Sequence, residues 1–178
     1  MFTVEELLSK RNQREAFAHF QTKKDGAGAD KMLLSELENY WKLNSVRIIE
    51  EIKNGSYQPG IIQNYEILNG KGKRRVISNL CVIDRFITRL LAQKLKRYIE
   101  PEFLPNSFAY QEGKGVLEAV QTALKYIQEG NQWVVEIDLQ NYFDTIDLKY
   151  MCELLKDKIL DSAINQLIYV KSKIQMYI

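Results

Sequence analysis

The chain has 178 residues, 46% hydrophobic and 27% charged, which is the composition of one globular domain or of one domain and part of another. No stretch approaches ~20 consecutive apolar residues, and the N-terminus lacks a basic region followed by an apolar core, so neither a membrane span nor a secretory signal is expected. One histidine (His19) and two distant cysteines (Cys81 and Cys152) disfavour zinc sites and Ser-His-Asp triads, and they predict a reducing, cytoplasmic location.

The net charge of +2 hides a strongly basic block. Between Lys71 and Arg97 lie nine Lys and Arg residues and a single acid, Asp84, so this stretch carries +8 and the rest of the chain −6. Such a block is typical of a surface that binds a polyanion, most often nucleic acid or nucleotide. The alternative is a solvated face on which long basic side chains cover apolar surface.

The first half of the chain predicts helices and one hairpin. A capping box at Thr3 and Glu6 begins a helix that runs to about residue 20, and a flexible loop at 26–30 leads into a second helix that ends at 54–55. Residues 61–80 contain two β-prone stretches around Asn69-Gly70, which predicts a hairpin with a basic tip. A third helix is expected over 82–99, where apolar residues recur at helical spacing.

The second half predicts three helices and one strand. Apolar periodicity indicates helices at 116–128, at about 147–158 and at 162–175. The short apolar run from residue 133 to residue 137 is typical of a buried strand.

The segment around Asp138 holds the residues best suited to chemistry. Asp138 ends the apolar run, and Asp144 and Asp147 follow it closely. Carboxylates at a strand end suit Mg²⁺, and two-metal phosphoryl transfer needs such ligands. The alternatives are that Asp144 and Asp147 are helix caps and Asp138 a turn residue, or that the three acids form a nuclease site.

Five segments in order resemble the N-terminal part of reverse transcriptases of the group II intron and bacterial retroelement type. They are GAGAD (26–30), GSYQPGIIQNYEI with GKGKRRVI (55–67 and 70–77), VIDRFITRLLAQKLKRYIEPEF (82–103), SFAYQEGKGVLEAV (107–120) and EIDLQNYFDTID (136–147). The sequence departs from the family at Ala109-Tyr110-Gln111, where Gly-aromatic-Arg is usual, and at 76–79, where a proline-containing segment is common. No Asp-Asp pair, the core of the second palm motif, occurs in the chain.

The resemblance implies an α+β fold, in which a mostly helical fingers subdomain with a β hairpin occupies 1–131. The first strand and helices of a polymerase palm would follow in 132–178. The implied activity is RNA-directed DNA synthesis on an RNA template and a DNA primer with dNTP. Because the Asp-Asp motif and the thumb are absent, we expect the chain alone to be inactive as a polymerase.

The resemblance also implies roles for individual residues. Asp138 would be the first catalytic metal ligand, with the Leu139 carbonyl as a second oxygen in a two-metal Mg²⁺ site. Phe143 would lie under the sugar and favour deoxynucleotides. The remaining implied contacts are Lys73 and Arg75 with the triphosphate, Phe108, Ala109 and Gln111 with the template and nucleotide pocket, and Lys71, Arg74, Arg85 and Arg89 with nucleic acid.

Two further expectations concern assembly and Asp84. An incomplete palm exposes a sheet edge and apolar helix faces, so a non-catalytic module that binds RNA or forms a homodimer is the alternative function. Asp84, the one acid in the basic block, is expected to pair with a neighbouring arginine.

Overall fold

A computed structural model describes residues 2–68, 70, 72, 74–140 and 142–175, with the backbone alone at 75, 143, 144 and 173–175. These residues form an α+β arrangement with one two-stranded sheet, as predicted. The elements are α1 (Val4–Leu7), α2 (Lys10–Gln21), α3 (Leu37–Lys53), β1 (Ile62–Leu68), β2 (Arg74–Leu80), α4 (Val82–Ile99), α5 (Val116–Gln128), α6 (Tyr142–Thr145), α7 (Leu148–Lys158) and α8 (Ser162–Gln175). Short 3₁₀ turns precede α3 (Leu34–Glu36) and follow α4 (Glu100–Glu102).

The single N-terminal helix expected over 3–20 is wrong, because the chain forms two helices there. Thr3 caps α1 as predicted, but Ser9 adopts an extended conformation and its hydroxyl accepts the Asn12 N–H at 3.3 Å, which starts α2. The buried Asn12 amide donates to the carbonyls of Leu7, at 2.7 Å, and Leu90, at 3.1 Å. The break is therefore stabilised by a buried polar side chain that also joins it to α4.

The hydrophobic core lies where α2, α3 and α4 meet. Phe86 of α4 is fully buried, and its ring centroid lies 4.5 Å from that of Phe17 and 5.0 Å from that of Trp41. Helix α8 extends this core with Ile164 and Leu167. The start of α1 is also joined to the start of α8, because the Asp161 carboxylate accepts the backbone N–H of Val4 at 2.8 Å.

The predicted hairpin is confirmed and projects from this core. Strands β1 and β2 pair antiparallel, in a register that runs from Ile62 opposite Leu80 to Leu68 opposite Arg74. Residues 63–68 of β1 are all exposed, so the hairpin buries little beyond its root. Asn69 of the predicted turn lies outside the described residues. Helices α3, α4, α5, α7 and α8 lie where the apolar periodicity predicts them.

The buried strand expected at 133–137 is wrong. This segment has no regular secondary structure in the described chain, and Trp133 is 92% exposed. A strand needs a hydrogen-bonded neighbour, and the described part of the chain has no sheet besides the hairpin. The apolar stripe of α5 is likewise exposed, with Val116 and Leu117 the most open of its residues.

Candidate nucleic-acid and nucleotide interface

The tip end of the hairpin carries the basic residues that sequence reasoning selected. Arg74 begins β2, and its guanidinium donates to Glu66 across the hairpin at 3.3 Å, with both side chains largely exposed. Arg75 is placed by its backbone opposite Ile67. Lys71 and Lys73 lie outside the described residues, as does the side chain of Arg75. The described part of the tip is thus an exposed strand end on which Arg74 is paired with Glu66.

Arg85 stands at the root of the hairpin. Its Nε donates to the Leu80 carbonyl at 3.2 Å, and its Nη2 donates to the Ala27 carbonyl at 3.0 Å and to the Asn79 side chain. The backbone N–H of Ala29 in turn donates to Leu80, also at 3.2 Å. Arg85 therefore joins the loop at 26–30 to the end of β2 and the start of α4.

The loop at 26–30 needs its central glycine. A Cβ on Gly28 would lie 2.7 Å from the Val82 nitrogen and 2.6 Å from an Asp30 carboxylate oxygen, both closer than real Cβ contacts. This close approach seats the loop directly on the first turn of α4.

Arg89 lies one helical turn further along α4. Its Nε is buried without a hydrogen-bond partner among the described residues. Burial, with the positive charges of Arg89 and Lys23, lowers the pKa of His19. The Arg89 side chain is half-buried, and its charge lies close enough to α2 to act on His19.

Asp84 does not pair with a neighbouring arginine, and that prediction is wrong. The carboxylate is fully buried and accepts hydrogen bonds from the Tyr57 hydroxyl at 2.7 Å, the Gly60 N–H at 2.9 Å and the Lys171 ammonium at 2.5 Å. Burial raises the pKa of Tyr57, and the Asp84 charge adds to this shift. Burial lowers the pKa of Lys171, against the attraction of Asp84. No local sequence signal indicates a partner 87 positions away.

The loop between α4 and α5 is tied down by its own side chains. The Gln111 amide donates to the Ser107 carbonyl at 2.7 Å, and the Lys114 ammonium donates to the Pro105 carbonyl at 2.9 Å. Phe108 lies under Lys114, 5.9 Å from its ammonium. Ala109 is exposed at the outer end of this loop.

Tyr110, which the sequence reasoning gave no role, stands out in this loop. Its φ of 59° lies in the left-handed region, which is rare for a bulky residue, and its side chain is 92% exposed. The loop thus presents an aromatic ring to solvent in a strained backbone conformation. No sequence pattern marks such a conformation in a non-glycine residue.

Asp138 and Leu139 are both exposed in the irregular segment before α6. Asp147 caps α7 by accepting the N–H groups of Lys149 and Tyr150 at 2.9 and 3.0 Å, as the helix-cap alternative predicts. Among the described residues, no three His, Cys, Asp or Glu side chains come together as a metal site. The side chains of Phe143 and Asp144 lie outside the described residues. Among the described residues, Asp138 is therefore an exposed carboxylate without a second acidic side chain beside it in a three-residue cluster.

The fold and the interface together define a class of protein. A helical body with a projecting hairpin, and further along the chain an Asp-bearing segment and three helices, is the α+β arrangement of a partial polymerase fingers and palm region. The family model "Reverse transcriptase (RNA-dependent DNA polymerase)" matches residues 59–177, and the chain belongs to this family.

Two curated relatives agree with this assignment. The chain is 28% identical over 148 residues to the group II intron-encoded protein LtrA of Lactococcus lactis subsp. cremoris, which covers 81% of this chain and 24% of LtrA. It is 24% identical over 124 residues to protein YkfC of Escherichia coli K12, covering 67% of this chain and 32% of YkfC. The predicted resemblance to group II intron-type reverse transcriptases is confirmed. The chain spans about a quarter to a third of the length of these relatives.

One negative finding concerns membranes. Within the described ranges, no helix combines the length and the apolar character that crossing a membrane requires.

Proposed function

We propose that this chain is the fingers and early palm of an RNA-directed DNA polymerase, with 1–131 as the fingers region and 132–178 as the partial palm. It binds RNA template, DNA primer and dNTP, and DNA synthesis takes place only in the complete protein. The observation that carries this proposal is the exposed basic hairpin within the region that the family model matches. Lys71 and Lys73 lie between the two strands in the sequence, and cations in such a turn attract phosphates.

The contacts of this proposal divide by chemistry. Lys73 and Arg75 bind the triphosphate of the dNTP, since an ammonium and a forked guanidinium both suit phosphate oxygens. Lys71 and Arg74 contact backbone phosphates of nucleic acid. Arg85 and Arg89 also contact nucleic acid phosphates in this proposal, Arg85 with its remaining donor capacity because it already anchors the loop at 26–30.

The palm side of the proposal centres on Asp138. Its carboxylate and the Leu139 carbonyl are hard oxygen ligands that hold Mg²⁺, which neutralises phosphate charge when bound. Phe143 packs under the sugar, and Ala109 and Gln111 line the nucleotide pocket. One carboxylate is too few for two cations, so the 178-residue chain by itself is expected not to polymerise DNA.

Fluorescence anisotropy with a labelled single-stranded RNA over a series of salt concentrations tests the hairpin. We compare the chain with a Lys71→Gln/Lys73→Gln/Arg74→Gln variant. The slope of log affinity against log salt falls by about 0.7 for each phosphate that the protein no longer neutralises. The slope therefore falls by about 1.4 in the variant if Lys71 and Arg74 bind RNA phosphates, and by about 2 only if Lys73, which the proposal assigns to the dNTP, also binds RNA.

A matched control removes the same charge elsewhere. Lys10, Lys42 and Lys149 are exposed on α2, α3 and α7, away from the hairpin. The control variant, Lys10→Gln/Lys42→Gln/Lys149→Gln, is expected to keep most of the salt slope. Equal decreases in both variants would mean that RNA responds only to net charge, and the hairpin proposal would fail.

A second function, a self-assembling module, is favoured by the exposed apolar faces. The stripe of α5 and the segment at 133–137 together present several large apolar side chains to solvent. In this alternative two chains associate through these faces to form a homodimer. Sedimentation velocity over a range of protein concentrations decides it, because a monomer at the highest concentration would contradict association.

A further inference from the structure

The orientation of the hairpin is set at its root. Residues 63–68 of β1 are exposed, and on β2 the described side chains become half-buried only from Ser78 to Leu80. A ribbon of two strands with neither face covered gains little stability from packing. Whatever holds the hairpin at a fixed angle must therefore act where it joins the body.

At the root, the entry to β1 lies against the first turn of α4. The Gly60 N–H donates to a carboxylate oxygen of Asp84 at 2.9 Å, and the Cys81 thiol donates to the Ile61 carbonyl at 3.4 Å. A Cβ on Gly60 would lie only 2.7 Å from the Cys81 sulfur, so the two segments are in close contact. The backbone that enters the hairpin is thus bound directly by the side chain of Asp84.

Asp84 is held in turn by two side chains from distant elements. The Lys171 ammonium of α8 donates to it, and Lys171 also lies 5.1 Å from the centre of the Tyr57 ring. All three side chains are buried, with Asp84 1% and Lys171 8% exposed. The cluster of Tyr57, Asp84 and Lys171 therefore joins α4, α8 and the hairpin entry at one point.

Such a cluster is a poor source of stability. Desolvating two charges offsets most of their attraction, and replacing a buried ion pair with apolar side chains of similar volume is often neutral or stabilising. Its directional hydrogen bonds, in contrast, fix geometry. A buried carboxylate with three donors has one arrangement that satisfies them all.

We infer that Asp84 and Lys171 are positioning residues that fix the angle of the hairpin relative to α4 and α8. Through the proposed function, on which this consequence rests, they hold the phosphate-binding tip in place relative to α7 and α8, the helices that follow Asp138. The variant Tyr57→Phe/Asp84→Leu/Lys171→Met removes both charges and the hydroxyl while it keeps apolar bulk. We expect it to fold with a melting temperature close to that of the parent and to lose the fixed angle.

Double electron–electron resonance detects a change in this angle, without any ligand, as a change in the distance between a label on the hairpin and a label on α3, which packs against α4 and α8. Spin labels at Glu66→Cys on β1 and Val46→Cys on α3 occupy exposed sites, whereas both native thiols are buried. The parent is expected to give a single narrow distance peak, and the triple variant a broad distribution without that peak. The control is Glu15→Leu/Arg97→Met, which removes an ion pair of 2.7 Å between α2 and α4 away from the hairpin root and keeps the narrow peak.

Each outcome decides the inference. A folded triple variant with the parent's distance peak overturns it. If the triple variant does not fold, the milder Asp84→Asn is measured, and a folded Asp84→Asn with the parent's peak likewise overturns it. If the peak broadens while RNA affinity stays unchanged, the positioning role holds and RNA binding does not depend on a fixed hairpin angle. The phosphate role of the hairpin fails separately, if its Gln variant and the matched control lose the same salt slope.

Discussion

Truncating Phe86 to alanine tests where the stability of this chain resides. Phe86 is fully buried between α2, α3 and α4 and contacts the rings of Phe17 and Trp41. Phe→Ala in a core costs about 3–5 kcal/mol, to which each aromatic pair contributes about 0.5–1.5 kcal/mol. For a chain of this size the substitution lowers the melting temperature by about 6–20 °C.

Thermal and urea unfolding followed by circular dichroism measure this effect, with Leu117→Ala on α5 as the matched control. Leu117 is 65% exposed, so its truncation should change the free energy of unfolding by less than ~0.5 kcal/mol. If Leu117→Ala costs as much as Phe86→Ala, the α5 face is buried in solution and the described architecture is incomplete. A change below ~1 kcal/mol for Phe86→Ala would refute the core itself.

Three further predictions concern single residues of the interface. The proton resonances of His19, the one histidine, should titrate with a midpoint below pH 6.5, and Arg89→Gln should raise that midpoint. Because folding lowers the pKa of His19, the contribution of His19 to stability is full above pH 6.5 and is lost as the pH drops through the folded pKa. A midpoint at or above pH 6.5 would contradict the burial of His19. Tyr110→Gly relieves left-handed strain of about 1–2 kcal/mol but adds about 0.5–1 kcal/mol of chain entropy to the unfolded state. The free energy of unfolding in urea should therefore rise by up to ~1.5 kcal/mol, and a decrease would contradict the strain. Arg85→Lys removes the forked guanidinium that joins the loop at 26–30 to the end of β2. The backbone amide of Ala29, which donates to Leu80, should then exchange faster with deuterium, while the amides of α5 keep their exchange rates. An unchanged exchange rate at Ala29 would show that Arg85 does not anchor the loop.

Local patterns in the sequence were enough to predict most elements. Helix α4 is predicted at 82–99 and observed at Val82–Ile99, because apolar residues recur on one face and Pro101 follows its end. The hairpin is predicted by two β-prone stretches around a turn signal. The pairing of Leu68 with Arg74 agrees with a short connection between the two strands. In these elements propensity, periodicity and turn chemistry agree.

Tertiary contacts explain the failures. The break between α1 and α2 depends on an Asn12 side chain that reaches Leu90, and the segment at 133–137 is unpaired because a strand's stability lies in a neighbour. Asp84 and Lys171 meet only after the whole chain has folded. For the site, the charge pattern and the family resemblance selected the hairpin cations and Asp138. Neither indicates that the Arg85 guanidinium is hydrogen-bonded to backbone carbonyls at the hairpin root, or that Tyr110 is exposed.

The place where RNA lies on the molecule is the central claim, and photo-crosslinking measures it directly. Single-stranded RNA containing 4-thiouridine is bound at low salt, irradiated and digested, and the attached peptides are identified by mass spectrometry. We expect crosslinks in the hairpin at 61–80 and in the loop at 103–115. Crosslinks confined to α2 and α3, with both of these segments unmodified, would contradict it.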